Sequence, residues 1–333
     1  MRVIHGLDEE RDLPARCVLT VGNFDGVHRG HQRIIAVARE QAQPEKLPVV
    51  ALTFEPHPLA VVSPATAPQR LTLAEGKLAL LADAGVDLAV VAKSTPQFLS
   101  LVPEVFIKDV MVARFHPAHV VEGRNFGFGR GRRGNLETLQ HYASQLGYDV
   151  HVVEPVTEVL GDGTRERVSS SLIRKLLSAG QVELAASAMG RPHALTGTVV
   201  KGASRGRSLG FPTANLAVPD NHALAGQLIP GDGVYAGQVV VHDRSYGGAI
   251  SVGQALTFEG SARHVEAHLI GFDADLYGET IIVDFERRLR DQRKFGSREE
   301  LARQIHKDVE SARQCGIDRQ DQSSRARQGV DDG

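Results

Sequence analysis

The residue types best suited to chemistry fall in short clusters. Gly22-Asn23-Phe24-Asp25-Gly26-Val27-His28-Arg29-Gly30-His31 lies between an apolar strand-length run and a helical pattern. Glycines let a backbone approach a phosphate closely, and a helix start offers unpaired N–H groups to the same anion. His28 and His31 project together at that start, where two imidazoles can donate hydrogen bonds to a phosphoryl group gaining charge in its transition state. Ser169-Ser170-Ser171-Leu172-Ile173-Arg174 sets hydroxyl caps ahead of an arginine, a combination suited to holding a polyphosphate. Farther on, Lys201–Asn215 joins a basic, Gly-rich loop to a Pro212-Thr213-Ala214-Asn215 turn, and no acidic residue occurs from Leu184 to Pro219. An anionic ligand is favoured there. Thr213 and Asn215 offer neutral oxygens that could complete a Mg²⁺ held mainly by nucleotide phosphates and water. On the run 263–269, alternation puts Val265, Ala267 and Leu269 on one face and Glu266 and His268 on the other. A Glu so placed can accept a hydroxyl proton during phosphoryl transfer.

Two nucleotide signatures are only partly matched. Gly123–Gly134 carries Arg124, Arg130, Arg132 and Arg133 without an acid, and reads as an electropositive, flexible loop. Within it Gly129-x-Gly131-x-x-Gly134 fits the dinucleotide fingerprint, with Glu154 where a ribose-binding acid would stand. The glycines begin several residues past the strand, however, and three arginines crowd a tight turn, so an NAD-dependent dehydrogenase is not the preferred reading. The stretch from Lys201 fails P-loop spacing, since Lys201 holds the first Gly position and Arg207 the Lys position.

These clusters need elements to position them. Apolar runs at 17–21, 48–54, 86–92, 118–122 and 149–153 alternate with helical patterns at 31–42, 72–83, 103–114 and 135–146. That alternation predicts a Rossmann-like α/β domain, a parallel sheet with helices on both faces and ligands at the carboxyl ends of its strands. Residues 169–189 read as two short helices. Beyond them β-rich runs, Leu195–Val200, Val234–His242, Ala249–Val252, Val265–Phe272 and Thr280–Phe285, follow one another without helices until a charged helix at about 297–314. The expected architecture is therefore α/β followed by an antiparallel β-barrel closed by a helix, with domains at 1–189 and 190–314 and a polar, disordered tail at 315–333.

Composition narrows the function. The 333 residues carry 38 Lys+Arg against 40 Asp+Glu, a formal charge of −2, which removes the basic signature of a dedicated nucleic-acid binder. Cys17 and Cys315 are too few for a zinc cluster or a disulfide framework and fit a reducing cytoplasm. Charged residues at 8–12 stand where a signal peptide would need apolar ones, and no run reaches the ~18 apolar residues of a membrane span. A cytoplasmic protein acting on small molecules is expected.

Taken together, the motifs resemble one family, the bacterial bifunctional riboflavin kinase/FMN adenylyltransferases, or FAD synthetases. The resemblance spans about residues 3–312 and is carried by Gly22–His31, Phe54-Glu55-Pro56-His57-Pro58, Asn125-Phe126-Gly127-Phe128-Gly129 and Ser169–Arg174. Gly210-Phe211-Pro212-Thr213-Ala214-Asn215, Gly233-Val234-Tyr235-Ala236, Asp275-Leu276-Tyr277-Gly278 and Lys294-Phe295 continue it. It implies phosphorylation of riboflavin to FMN by the C-terminal module and adenylylation of FMN to FAD by the N-terminal one, each with ATP and Mg²⁺. It further implies that His28 and His31 stabilise the adenylyl-transfer transition state, while Gly22, Asn23, Phe24, Asp25, Gly26, Ser169, Ser170, Ser171 and Arg174 hold that ATP. By the same resemblance Phe54, Pro56, His57, Pro58, Asn125, Phe126 and Phe128 take the flavin side. In the kinase module Gly202, Arg207, Gly210, Phe211 and Pro212 hold ATP, Thr213 and Asn215 hold Mg²⁺, and Glu266 is the base. Riboflavin, FMN and ATP are the implied partners of a monomer or weak homo-oligomer, with no nucleic acid or membrane involved.

Two departures stand out: Ser171 where relatives have Thr, and Leu256 where they have Pro. Leu256 motivates an alternative, a monofunctional FMN adenylyltransferase with an impaired kinase module. A non-catalytic flavin or nucleotide sensor is a further reading, against which the intact set His28, His31, Thr213, Asn215 and Glu266 speaks.

Overall fold

The computed structural model describes residues 1–7, 13–202, 210–217, 226–254 and 263–328. Packing divides them into two compact units, Met1–Leu172 and a second that begins at Ile173. In the first, six strands form one parallel sheet: β1 (Arg2–His5), β2 (Cys17–Val21), β3 (Val49–Glu55), β4 (Leu88–Lys93), β5 (Pro117–Gly123) and β6 (Asp149–Val153), in the order β1-β4-β3-β2-β5-β6. Alternate residues feed opposite faces. Leu19, Leu52, Val90 and Val120 pack with Phe106, Ile107, Met111, Phe115 and Leu139, whereas Val18 and Val121 pack with Ala38 and Ala42 of helix α1 (Arg29–Ala42). Burial of both faces explains why these strands read as unbroken apolar runs.

Helices α2 (Ala74–Asp83) and α3 (Leu136–Leu146) fall where the sequence pattern predicts them. The predicted 103–114 helix is a composite, Pro103–Val105, a wide-turn segment Phe106–Val112, and Ala113–Phe115. Because β2 runs onward to β3 on one side and pairs with β5 on the other, strand order reverses between β2 and β5. A crevice for a ligand opens outside the carboxyl ends at such a switch point, and both Gly22–His31 and Gly123–Gly134 leave the sheet there.

The second unit is an antiparallel barrel. Strands β9 (His193–Val200), β10 (Ala214–Ala217), β11 (Gly233–Val241), β12 (Arg244–Gln254), β13 (Arg263–Leu269) and β14 (Thr280–Phe285) pair in the order β12-β13-β10-β9-β14-β11, and β11 pairs with β12 to close the ring. The short β15 (Arg287–Arg290) lies beside β11, and a two-stranded hairpin of β7 (Thr157–Val159) and β8 (Arg165–Arg167) ends the first unit. Inward residues such as Leu195, Ile250, Val265, Ala267, Ile281 and Phe285 are buried. Gly237 is required where two strands meet, since a Cβ there would run into the Asp284 carbonyl.

Three expectations change. Helices α4 (Ser170–Ser178) and α5 (Val182–Met189) pack mostly with the barrel: Gly231 N–H donates to Leu177 O at 2.8 Å, and Arg288 donates to Ala179 O at 2.9 Å while its N–H takes the Glu183 carboxylate at 2.9 Å. The division by packing falls at 172/173, ahead of the change of period near 190. Pro212-Thr213-Ala214-Asn215, read as a turn, leads into β10, because a proline is tolerated just ahead of a strand. Helix α6 (Arg298–Gln328) continues past 314 into the segment expected to be a disordered tail, over a stretch free of proline.

Candidate active sites

Between β2 and α1, Phe24 (φ 48°), Gly26 (φ 82°) and Val27 (φ 35°) adopt left-handed backbone conformations. Non-glycine residues persist there only when their surroundings hold them. The Phe24 and Val27 side chains are each 1% exposed and pack with Ile35, Ala51 and Leu81. The Asp25 carboxylate accepts from the N–H groups of Leu71 at 3.0 Å and Thr72 at 3.2 Å, and its carbonyl accepts from Ser170 Oγ at 3.0 Å. Thr53 Oγ1 donates to the Asn23 carbonyl at 3.3 Å, while the Asn23 amide lies 3.3 Å from His57 Nε2. Side chains of Phe24 and Asp25 are therefore turned inward to build the loop.

This frame delivers two histidines. His28 is the N-cap of α1 and its Nδ1 accepts from the His31 N–H at 3.4 Å, which leaves Nε2 as the ring nitrogen for a donor role. The two rings stack 3.7 Å apart with 15° between planes. Gly30 makes room for them, since a Cβ there would sit 3.1 Å from His28 Cε1. Burial, and then the neighbouring His28, pull the His31 pKa well below the usual imidazole range. His31 Nδ1 is buried without a hydrogen-bond partner. Ser169 Oγ caps α4 by accepting from Leu172 N–H at 3.2 Å; Ser171 is exposed, and Arg174 follows on the same helix, within the second unit.

An aromatic chain flanks β3 and β5. Successive ring centroids of Phe54, Phe98, Phe106, Phe128 and Phe126 stand 6.0, 6.0, 5.6 and 5.1 Å apart. Phe128, expected on the flavin side, is 6% exposed and supports the chain from within the core, whereas Phe54 and Phe126 are half-buried. Pro56, His57 and Pro58 leave β3, with His57 Nδ1 accepting from Leu59 N–H at 3.2 Å. Asn125 is exposed, and its carbonyl accepts from Arg132 at 3.4 Å. The Gly123–Gly134 loop is less free than expected, because Phe128 and Gly134 exchange both main-chain hydrogen bonds at 3.0 Å. Nor is it uniformly positive: Glu154, the would-be ribose acid, forms an ion pair with Arg124.

A separate group gathers on the outer face of the barrel. Asn215 lies directly opposite Glu266 in the β10–β13 ladder, Thr213 Oγ1 donates to Glu266 Oε2 at 3.5 Å, and Ser251 flanks Glu266 from β12. Any side chain at Gly202 would collide with that of Asn215. His268 fixes Gly210-Phe211-Pro212, as its Nδ1 lies 2.8 Å from Pro212 O and its ring meets Phe211 edge-on at 5.5 Å. Arg207 and Leu256 lie outside the described residues.

The chain is 36% identical over 320 residues to a protein of Escherichia coli K12 named bifunctional riboflavin kinase/FMN adenylyltransferase, covering 94% of this chain and 97% of that protein. It belongs to that family. Family models agree unit by unit, FAD synthetase over residues 10–172 and riboflavin kinase over 189–316. Proteins of the same name from Haemophilus influenzae and Listeria monocytogenes are each 35% identical, over 98% and 91% of their lengths. A crystal structure described as a macrolide-efflux protein from Streptococcus pneumoniae superposes with a TM-score of 0.81 at 30% identity, covering 94% of this chain and 99% of that one.

The motifs do not include the residues that brace the loops. Lys77, 6% exposed, donates to Phe54 O at 3.2 Å and lies 3.6 Å from Glu55 Oε2, tying α2 to the end of β3. Burial lowers its pKa. Glu122, 2% exposed, accepts from Val21 N–H at 2.6 Å. The signal available in sequence was a polar residue inside or beside an apolar run, which reads equally as the end of an element.

Proposed function

We propose that this chain phosphorylates riboflavin to FMN in its barrel unit and adenylylates FMN to FAD in its parallel-sheet unit, with one ATP consumed by each reaction. The observation that carries the reading is the presence, in one chain, of two residue sets suited to phosphoryl chemistry, each assembled inside its own unit: His28 with His31, and Thr213 with Asn215 and Glu266.

In the barrel, Glu266 is the general base. It accepts the proton of the riboflavin 5′-hydroxyl as that oxygen forms a bond to the γ-phosphorus of ATP and ADP departs. Thr213 and Asn215 fit a Mg²⁺, since both offer neutral oxygens and leave the cation's charge to ATP phosphates. When bound, that ion neutralises the phosphates around the transferred group. In the parallel-sheet unit an FMN phosphate oxygen attacks the α-phosphorus of ATP and the bond to pyrophosphate breaks. His28 supplies a donor from Nε2 to the charge that develops on the α-phosphoryl group, and His31, whose pKa is lowered by burial, stacks against it. The half-buried rings of Phe54 and Phe126 suit the flavin, with His57 and Asn125 beside them. A cytoplasmic setting agrees with two free thiols, Cys17 and Cys315. Among the described residues no helix is long and apolar enough to cross a membrane.

Incubation with riboflavin, ATP and Mg²⁺, followed by chromatography, tests the reading: FMN appears first and FAD second. His28→Ala should lower FAD formation from supplied FMN by about 10²–10³-fold, the scale of losing a transition-state donor, and spare FMN formation; Glu266→Gln should do the reverse. Equal loss of both activities in both variants would refute the two-site assignment.

A further inference from the structure

One buried carboxyl of the parallel-sheet unit has no part in the chemistry above. Glu122 is the penultimate residue of β5, and alternation turns its side chain away from Val121, which packs toward α1, to the face shared by Leu19, Val21 and Val120. Main-chain pairing of β2 with β5 runs to Leu19 and Val120. At Val21, the acceptor on the β5 side is the Glu122 side chain, with Oε1 2.6 Å from the Val21 nitrogen. On the opposite edge Gly22 N–H donates to Leu52 O at 3.0 Å. The chain is thus gripped from both flanks at the point where it leaves the sheet, directly before the three left-handed residues that lead to His28. Burial raises the Glu122 pKa well above the usual carboxylate range, against the opposing effect of the Val21 hydrogen bond. The group serves as a hydrogen-bond acceptor inside the fold.

We propose that Glu122 is a positioning residue for adenylyl transfer, acting through the Val21 main chain on the Gly22–His28 loop without touching substrate. This rests on the adenylylation assigned above to the parallel-sheet unit. A bond that fixes the loop's point of departure fixes the direction of His28, whose ring has to meet the α-phosphoryl group, and small displacements of such a group are costly. An apolar residue would pack as well in this core but would leave the Val21 N–H buried without an acceptor.

Three variants test it in the full chain. Glu122→Gln keeps an acceptor oxygen at the same reach and should retain FAD formation within about twofold. Glu122→Val removes the acceptor, and Glu122→Asp draws it back by one methylene. Both should lower kcat for FAD formation, by about tenfold or more in Val and less in Asp, leave riboflavin phosphorylation in the other unit unchanged, and speed hydrogen exchange at the Val21 amide. A residue that only fills the core would change melting temperature without dividing Gln from Asp in kcat. The proposal is overturned if Asp exchanges at Val21 and turns over like the parent, or if Gln loses as much activity as Val. Should Val fail to fold, the comparison of Gln with Asp decides alone. If the parent chain makes no FAD from supplied FMN, the functional reading fails instead, while Val21 exchange still reports whether the clamp exists.

Discussion

Gly30→Ala separates the stability of α1 from the chemistry at its start. Gly30 lies in the first turn of α1, outside the positive-φ region, so alanine suits its backbone and should stabilise the helix by up to about 1 kcal/mol. The new Cβ, however, would lie 3.1 Å from His28 Cε1 and 3.2 Å from its Nδ1. Both distances are tighter than ordinary packing, so the ring must yield by a few tenths of an ångström. The cap bond from His31 N–H to His28 Nδ1 is already 3.4 Å long, and its loss costs about 0.5–2 kcal/mol. Gain and loss nearly cancel, and the melting temperature should stay within a few degrees of the parent. Adenylyl transfer has no such compensation. Where an ångström of misplacement can cost about 10²-fold, a few tenths should cost about tenfold. The assay is FAD formed from FMN and ATP, with riboflavin phosphorylation in the same preparation as an internal control. Full adenylyl transfer in this variant would refute the argument that Gly30 sets the position of His28. A large fall in melting temperature would show that strain went into the fold and not into the ring.

Gly237→Ala should act on the other unit: its Cβ would meet the Asp284 carbonyl, an immovable main-chain atom between β11 and β14. A loss of about 3 kcal/mol or more is expected, with riboflavin phosphorylation lost and FAD formation from supplied FMN retained; a barrel that melts normally would count against the packing described. His193 should make the barrel unit acid-sensitive. Burial pushes its pKa from 6.5 down to about 4, the hydrogen bond with Leu228 O opposes this in part, and Arg191 adds to the fall. Folded protein then binds fewer protons than unfolded protein between those values, so stability is complete above 6.5 and is lost as pH falls toward 4, by about 3 kcal/mol at most. Calorimetric melts of His193→Gln should show a shallower decline from pH 7 to 4.5 than the parent; parallel declines would refute the assignment.

Much of the architecture was legible because it rests on burial. Strands covered on both faces leave unbroken apolar runs, and a switch from alternating helices to successive β-runs marks the second unit. What escaped the sequence depends on partners far along the chain. Strand β1 has four residues, of which only Ile4 is buried, and it exists because β4 offers an edge. Strand β10 is four residues long and is held between β9 and β13. Helices α4 and α5 precede the change of period yet pack with the barrel through Gly231 and Arg288.

The same distinction governs the first site. In Gly22–His31 a motif of consecutive residues was legible as a block, but not the division of labour inside it. Phe24 and Val27 are core, Asp25 is spent on the N–H groups of Leu71 and Thr72, and Gly30 supplies room for a ring. Gly26 likewise leaves no space for a side chain against Leu71. His28 and His31 are the two residues of the block to which the proposed chemistry falls, and this division accounts for the specificity of the pattern. Most of its letters are constrained by folding the loop, so each must be met even though few of them meet the substrate. Glu122 and Lys77 belong to the same frame from outside the motif. They were illegible because a buried polar group reveals its purpose only through the main-chain atom it satisfies.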